Sequence, residues 1–396
     1  MKFKILVIVA FCTIMVACNS NENNVVNRVE LPGTIDENAF ADNVESISVM
    51  NLEMDDWVFF DWTDIEIADN YIYAFVHKPM RLMCFDLQTG EKLSARTIKG
   101  NGPGEIIDFW SMFCIGDTLC VHGSKGTINK YDSNCRFLGK LHQLDNLYPQ
   151  VVFRLNSGNY ALVTLSGSDD SEPTTIILTD KLFNPISSHF KTPRNNLITF
   201  GGPEPCHANN DTVRLVYSFD NHIYSLCGEI EECLELAVPH PITSEIAIGL
   251  INKGTPHLIW KNYDGGFFFI SESGRFLVFK YRLDGELYTA MLDKQTRRAV
   301  SIPSETAAPA SVSAIINCFF RNAWLIKSDG RYIYVGIENH DLAEFFEADE
   351  KNLDDRLRKT LAEYRTYLQR NVEYIKGLDS DERDKVTIIL KIKLKD

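Results

Sequence analysis

Cys18 is the first residue whose neighbours give it a reaction. It follows Met15-Val16-Ala17, and a small residue directly before a cysteine lets a lipoprotein signal peptidase cut once the thiol is acylated. Lys2 and Lys4 supply a short positive stretch ahead of an apolar run from Ile5 to Ala17. That run has signal-peptide length and falls short of the ~20 residues that a membrane-spanning helix needs. Residues 1–17 are therefore expected to be a signal peptide. Residues 18–42 are expected to be the lipidated cysteine and a polar tether, because Asn19-Ser20-Asn21-Glu22-Asn23-Asn24 is too polar to pack.

A second candidate is Gly100-Asn101-Gly102-Pro103-Gly104-Glu105. As a nucleotide loop it fails, since Glu105 stands where a Rossmann fingerprint needs its third glycine and no Gly-Lys-Ser/Thr follows. A tight crossover suits it better: glycine permits positive φ, Pro103 fixes its own φ, and Glu105 is placed to cap a backbone turn. Gly201-Gly202-Pro203-Glu204-Pro205 reads as a similar crossover.

His207, His222, His240 and His257 cluster in sequence. Histidines on neighbouring loops can act as bases or hold a metal. No carboxylate or second histidine stands beside them at metal-ligand spacing, so packing and surface roles are expected, with no metal and no cofactor. No nucleophile elbow and no His-Glu-x-x-His helix is present. Trp57, Phe59, Phe60, Trp62 and Trp110, and later Trp260, Tyr263, Phe267, Phe268 and Phe269, are aromatic enough to grip a sugar or peptide, although most are expected in the core. Among the cysteines, Cys84, Cys114, Cys120 and Cys318 lie in apolar runs and read as small core residues, while Cys206, Cys227 and Cys233 are the candidates for a disulfide.

What must position these residues is mostly β structure. From about 43 to 346 the chain is a succession of short apolar or alternating runs closed by Gly, Asn, Asp or Pro. Residues 69–75, 81–86 and 92–98 form one strand-strand-turn-strand unit, and 117–121, 127–132 and 136–141 repeat it about 46 residues later. Weaker echoes begin at Asn159, Asn221, Gly274 and Gly330. Six such units predict an all-β, six-bladed β-propeller over residues 43–396, in which each meander buries its faces against the next.

One different element is expected near the end. Leu353, Leu357, Leu361, Tyr364, Leu368, Val372 and Ile375 form an amphipathic stripe over 351–376, placing a helical insertion at about 341–378 inside the last blade. A partner-binding helix would instead leave Leu361, Tyr364 and Leu368 exposed. Residues 379–384 read as a charged turn. A closing strand at about 386–395 is expected to pair with 44–49, so that the two ends share one blade.

The chain resembles the six-bladed β-propeller lipoproteins of Bacteroidota, related in form to TolB-like and NHL-type propellers. The residues that carry the likeness are Cys18, Phe85-Asp86 with Gly90, Gly100-Asn101-Gly102-Pro103-Gly104-Glu105, and Ile389-Leu390-Lys391-Ile392-Lys393-Leu394-Lys395. The resemblance implies fold and location and brings no common activity with it.

Location and charge narrow the rest. Asn19 in place of aspartate after the cysteine implies an outer-membrane lipoprotein of the cell envelope, facing either the periplasm or the outside. A formal charge of -14 sets nucleic acid aside, since phosphate binding needs surplus Lys and Arg. The expected partners are the membrane, through the lipid anchor, and an envelope protein, peptide or glycan held by a non-catalytic propeller. The alternative is a metal-dependent hydrolase or lyase of the lactonase-like six-bladed kind.

Overall fold

The computed structural model describes residues 26–31, 38–53, 63–123, 126–144, 149–164, 176–190, 206–217, 219–303, 311–323, 325–348 and 353–395. It begins with β1 (Val26–Glu30), a short helix α1 (Ala39–Asn43) and β2 (Val44–Met50). Sheet I is the meander β3 (Thr63–Ile67), β4 (Tyr71–Val76), β5 (Arg81–Asp86) and β6 (Lys92–Thr97). Sheet II holds β7 (Phe109–Ile115), β8 (Thr118–Gly123), β9 (Thr127–Tyr131) and β10 (Phe137–Gln143). Sheet III holds β11 (Val151–Arg154), β12 (Tyr160–Val163), β13 (Ile176–Thr179) and β14 (Pro185–His189). Sheet IV holds β15 (Cys206–Asn209), β16 (Thr212–Val216), β17 (His222–Cys227) and β18 (Ile230–Ala237), with β1 as a fifth, parallel strand on the outer edge of β18.

Helices α2 (Ser244–Asn252) and α3 (Ile259–Asn262) precede sheet V, which is β19 (Gly265–Ser273), β20 (Phe276–Leu283), β21 (Glu286–Asp293) and β22 (Arg298–Pro303). Helix α4 (Val312–Arg321) leads to β23 (Leu325–Ser328) and β24 (Tyr332–Glu338). Helices α5 (Asn339–Ala348), α6 (Asp355–Arg370), α7 (Val372–Gly377) and α8 (Ser380–Asp384) then intervene before β25 (Thr387–Leu394). Sheet VI has the order β2-β25-β24-β23, with β2 antiparallel to β25. The expected pairing of 44–49 with the closing strand is present, so β25 is not left as an open edge.

The second strands of sheets I, II and III are almost wholly buried because both of their faces are covered. All of Tyr160–Val163 is buried, as is most of Tyr71–Val76 and Thr118–Gly123, whereas the outer strands β6, β10 and β14 alternate towards solvent. The buried side chains fall into clusters that each join neighbouring sheets. Phe75 and Leu82 pack with Leu119 and Val121, joining I to II. Cys120 and Ile128 pack with Val152 and Leu162, joining II to III. Val163 and Ile176 pack with Val213 and Leu215, joining III to IV. Ile223 and Leu236 pack with Phe279 and Leu292, joining IV to V. The largest cluster carries Val278 of V, Ile333 of VI and Ile72 of I together, returning the order to its start. A mostly β chain of four-stranded antiparallel sheets packed in this cyclic order is consistent with a β-propeller.

An antiparallel meander places the turns between strands one and two and between three and four at one end. The second turn and the exit to the next sheet fall at the other end. The two ends differ sharply in this chain. All connections of the first kind have two to five residues, and every connection longer than five lies at the opposite end, including 98–108, 238–264 and 339–386. The short end is held by a repeated local device. A carboxylate oxygen of Asp86, Asp132, Asp180, Asp293 and Asp329 accepts two backbone N–H groups of its own turn, such as those of Asn134 and Arg136 for Asp132 at 3.0 and 2.8 Å.

Several expectations are corrected. The tether does not run to residue 42: Val26–Glu30 is a strand, with Val29 buried in the core between sheets IV and V. The strand-rich stretch also contains helices that periodicity missed, α2 and α4 above all, capped by Thr243 and Ser311 hydroxyls that accept the N–H of Ile246 and Ala314. The unit beginning at Asn221 is out of phase by one strand, because β17 is third in its sheet and β16 is the equivalent of β4, β8 and β12.

The single helix expected over 351–376 is two helices broken at Asn371. Leu357, Leu361 and Tyr364 are buried, so the partner-binding alternative fails. Helix α6 lies on β2, where the Arg356 guanidinium donates to the carbonyls of Ala41 and Val44 and the Glu363 carboxylate accepts the N–H of Val49. The charged turn 379–384 is a short helix, because Asp379 and Glu382 form a capping box.

Candidate functional site: the polar interior and the long-connection end

Four of the six first strands carry a polar or ionisable residue at the same place. Glu66, Cys114, Glu272 and Lys327 are each the last residue but one of β3, β7, β19 and β23. Alternation in these strands turns all four the same way. Lys327 Nζ lies 3.5 Å from the Glu66 carboxylate, with both side chains about a quarter exposed. Burial raises the Glu66 carboxyl above its ordinary range, against the attraction of Lys327. Glu272 is 5% exposed and meets Arg214 Nε at 2.5 Å, with Lys294 on its other oxygen. Burial alone would raise Glu272, but the two cations prevail and hold it below the usual carboxylate range.

His207 of β15 joins this set. Burial pushes its ring down to about 4, against the Glu272 carboxylate and with the Lys327 charge adding to the fall. Among the described residues its Nε2 has no hydrogen-bond partner. Sheets IV and VI are not neighbours in the cyclic order, yet Lys327 of VI acts on His207 of IV, and Gly330 beyond β23 packs against Asn209. The first strands therefore converge on a shared polar interior. Between sheets IV and V a cavity of about 150 Å³ is lined by Arg214, Ser225, Glu232, Lys294 and Arg297 with Leu277 and Leu292. That is room for a few waters at ~30 Å³ each and too little for a peptide or sugar, which need several hundred Å³.

The long-connection end has its own chemistry. Asp220 stands just before β17 and binds His222 Nδ1 at 2.5 Å through one oxygen and the Tyr224 hydroxyl at 2.5 Å through the other. This hydrogen bond raises the His222 ring above its ordinary value. In the 238–264 connection, buried Asp264 accepts the His240 N–H at 3.0 Å and stands 3.5 Å from its Nδ1. His257 is exposed on the turn Pro256–Leu258 and is not drawn into either pair.

The four sequence candidates are thus split: His207 lies in the interior, and the other three on sheet IV's long-connection side. The expectation that no carboxylate stands beside these histidines is corrected for His222, whose partner Asp220 lies two residues upstream in the connection before β17. Asp264, 24 residues from His240, had no local signal. Among the described residues, no three His, Cys, Asp or Glu side chains stand close enough together to hold a metal ion.

Gly100 and Gly104 of the glycine-rich segment take φ of +152° and +74°. Glu105 folds back so that its Oε2 accepts the Gly102 N–H at 2.8 Å. A Cβ on Gly104 would stand 2.4 Å from that of Phe137, and the Gly104 carbonyl accepts the Tyr131 hydroxyl at 2.9 Å. The segment pins the exit of sheet I onto sheet II. Gly201 to Pro205, Cys18, Trp57, Phe59, Phe60 and Trp62 lie outside the described residues. Of the remaining aromatics, Phe267 and Phe269 are core, while Trp110 is 43% exposed at the long-connection end. Cys84, Cys120 and Cys318 are buried thiols and Cys114 is half-buried beside Glu66. Among the described residues Cys206, Cys227 and Cys233 form no disulfide: strand register sets Cys233 against Tyr224, and Cys227 against Ile230, away from one another.

Comparison with solved structures agrees with this architecture. A presumed exported protein of Bacteroides fragilis NCTC 9343 superposes with a TM-score of 0.64 at 17% identity, over 94% of this chain and 100% of that one. A member of the DUF4221 family from Bacteroides vulgatus ATCC 8482 matches at a TM-score of 0.49 and 8% identity, over 89% of this chain and 98% of that one. The first of these likenesses concerns fold alone. No curated protein matches the chain in sequence. The profile of one family, described as a domain of unknown function (DUF4934), matches residues 26–365, from β1 into α6, and the chain belongs to that family.

Proposed function

We propose that the chain is a six-bladed β-propeller held in the cell envelope through acylated Cys18, and that it binds an envelope protein, peptide or glycan without catalysis. The observation that carries this reading is the segregation of every connection longer than five residues to one end of the sheets. A rigid scaffold with variable loops gathered on one side is how binding surfaces are built. Exposed Trp110, exposed His257 and the Asp-anchored His222 and His240 belong to that side.

The interior charges support binding over chemistry at the axis. Glu272, Arg214 and Lys294 satisfy one another, which leaves a strut rather than a reactive group. Asn19 after the cysteine supports delivery to the outer membrane.

The test is capture from solubilised envelope with protein truncated before Asn19, run beside the Trp110→Ala and His257→Ala variants. A partner retained by the parent and lost by both variants supports the reading. One tightly held divalent ion per chain together with hydrolase or lyase activity would overturn it.

A further inference from the structure

A polar row crosses sheet IV from its first strand to its fourth. His207, Arg214, Ser225 and Glu232 stand opposite one another in register on β15, β16, β17 and β18. Alternation puts them on the same face as Val216, Ile223 and Leu236, which lie in the cluster that joins sheet IV to sheet V. Sheet V faces this row with Glu272 of β19 and Lys294 just after β21. The cavity of about 150 Å³ lies here, towards the short-turn end, since Lys294 and Arg297 belong to the connection between β21 and β22.

The walls carry more positive charge than their carboxylates neutralise. Arg214 donates through Nε to Glu272 at 2.5 Å and through Nη1 to the Ser225 hydroxyl at 2.5 Å, while Lys294 donates to the other Glu272 oxygen. Glu272 is thus one carboxylate between two cations. With Arg297 and Glu232 also on the wall, three cations face two carboxylates, in a chain whose formal charge is -14. An uncompensated cation is most costly where water is scarce, and the Arg214 side chain is 16% exposed. Donors are left over as well. Among the described residues Arg214 engages only Nε and Nη1, and Lys294 bonds only Glu272. Ser225, itself buried, accepts from Arg214, so its own hydrogen is directed elsewhere.

We propose that this cavity binds one inorganic phosphate ion, held by Arg214, Lys294 and Ser225 with Glu232 at the mouth. Phosphate has the bulk of roughly two waters, which the cavity accommodates. The wall carboxylate selects among oxyanions. An ionised Glu232 can only accept, so it bonds hydrogen phosphate, which has a hydrogen to donate, and repels sulfate, which has none. The ion offsets the excess charge and ties sheet IV to sheet V. It therefore belongs to the short-turn frame, apart from the long-connection surface proposed above.

Equilibrium dialysis of the purified protein, freed of bound anions, against radiolabelled phosphate at constant ionic strength tests the site. One phosphate per chain is expected, with sulfate competing at least about tenfold more weakly. Lys294→Gln, which keeps a donor for Glu272, and Ser225→Ala are each expected to weaken binding about tenfold. Lys140→Gln, on the outer strand of sheet II, is expected to leave it unchanged. Glu232→Gln is expected to abolish the preference for phosphate by admitting sulfate. Phosphate is also expected to raise the thermal midpoint of the parent saturably, and that of Lys294→Gln much less at the same concentration.

A midpoint that phosphate moves no more than chloride does, or binding left unchanged by both Lys294→Gln and Ser225→Ala, overturns the site. Ser225→Ala removes a single hydroxyl, so it decides the matter alone if Lys294→Gln fails to fold. Sulfate bound as tightly as phosphate by the parent overturns the assignment to phosphate.

Discussion

The two ends of the sheets are built on different rules. At the short end five aspartates, Asp86, Asp132, Asp180, Asp293 and Asp329, each accept two backbone N–H groups of their own turn through one carboxylate oxygen, and the chain turns back within five residues each time. At the other end the connections range from two residues to the 339–386 insertion with its four helices. Local hydrogen bonding makes one end a frame. Freedom from it lets the other end vary, and variable loops on a fixed frame are where recognition is placed.

If the frame is structural, its loss should appear as stability, and the largest loss should come from the interior struts. Glu272→Ala strands Arg214 and Lys294 without their shared carboxylate, and an expected loss of about 3–5 kcal/mol follows from unpairing buried charge. Chemical denaturation measures it. An unchanged midpoint would mean that water reaches and solvates all three groups.

Acid should strike the interior and the long-connection end in opposite senses. The His207 ring is held at about 4 in the folded chain against 6.5 when free, so protonation favours the unfolded state. Stability is therefore expected to fall as pH drops from 6.5 to about 4, by up to roughly 3 kcal/mol, and His207→Gln should flatten that slope. His222 is raised by Asp220, so its contribution is fully present below 6.5 and lost as pH rises through the folded value. His222→Gln should remove that decline on the neutral side. Unfolding midpoints across pH, for both variants, separate the two.

Smaller effects refine the contrast. Asp132→Ala removes the acceptor for two turn N–H groups and is expected to lower stability by about 1 kcal/mol, as a lost cap does, without altering partner capture. Trp110→Ala, on an exposed side chain, is expected to change stability by less than about 0.5 kcal/mol and to weaken capture. A Trp110→Ala chain that is destabilised yet still captures its partner would reverse the assignment of the two ends.

Strand succession was legible in the sequence because a strand covered on both faces must be apolar along its length and must end at a turn. Phe85-Asp86 with Gly90, and Tyr131-Asp132 with the following turn, announce themselves in this way. The first strands were less visible: β3 and β15 are short and carry Glu66 and His207 inward, which breaks the apolar pattern. Helix α4 was hidden inside apolar residues that also suit a strand, and only Ser311 marked its start. The site was legible in part. Asp220 stands two residues from His222, whereas Glu66 and Lys327 are 261 positions apart and are joined only when sheet VI closes against sheet I. Local pattern carries information about turns and faces, and none about which sheets end up across the interior from each other.

The central claim is that one end binds and the other only holds. A photo-activated crosslinker placed in turn at Trp110, His257, Asn134 and Thr296, in otherwise intact protein exposed to envelope extract, tests it directly. Covalent protein or glycan adducts are expected from positions 110 and 257, at the long-connection end, and none from 134 and 296 in the short turns. Adducts formed from the short turns alone, or equally from all four positions, would contradict it.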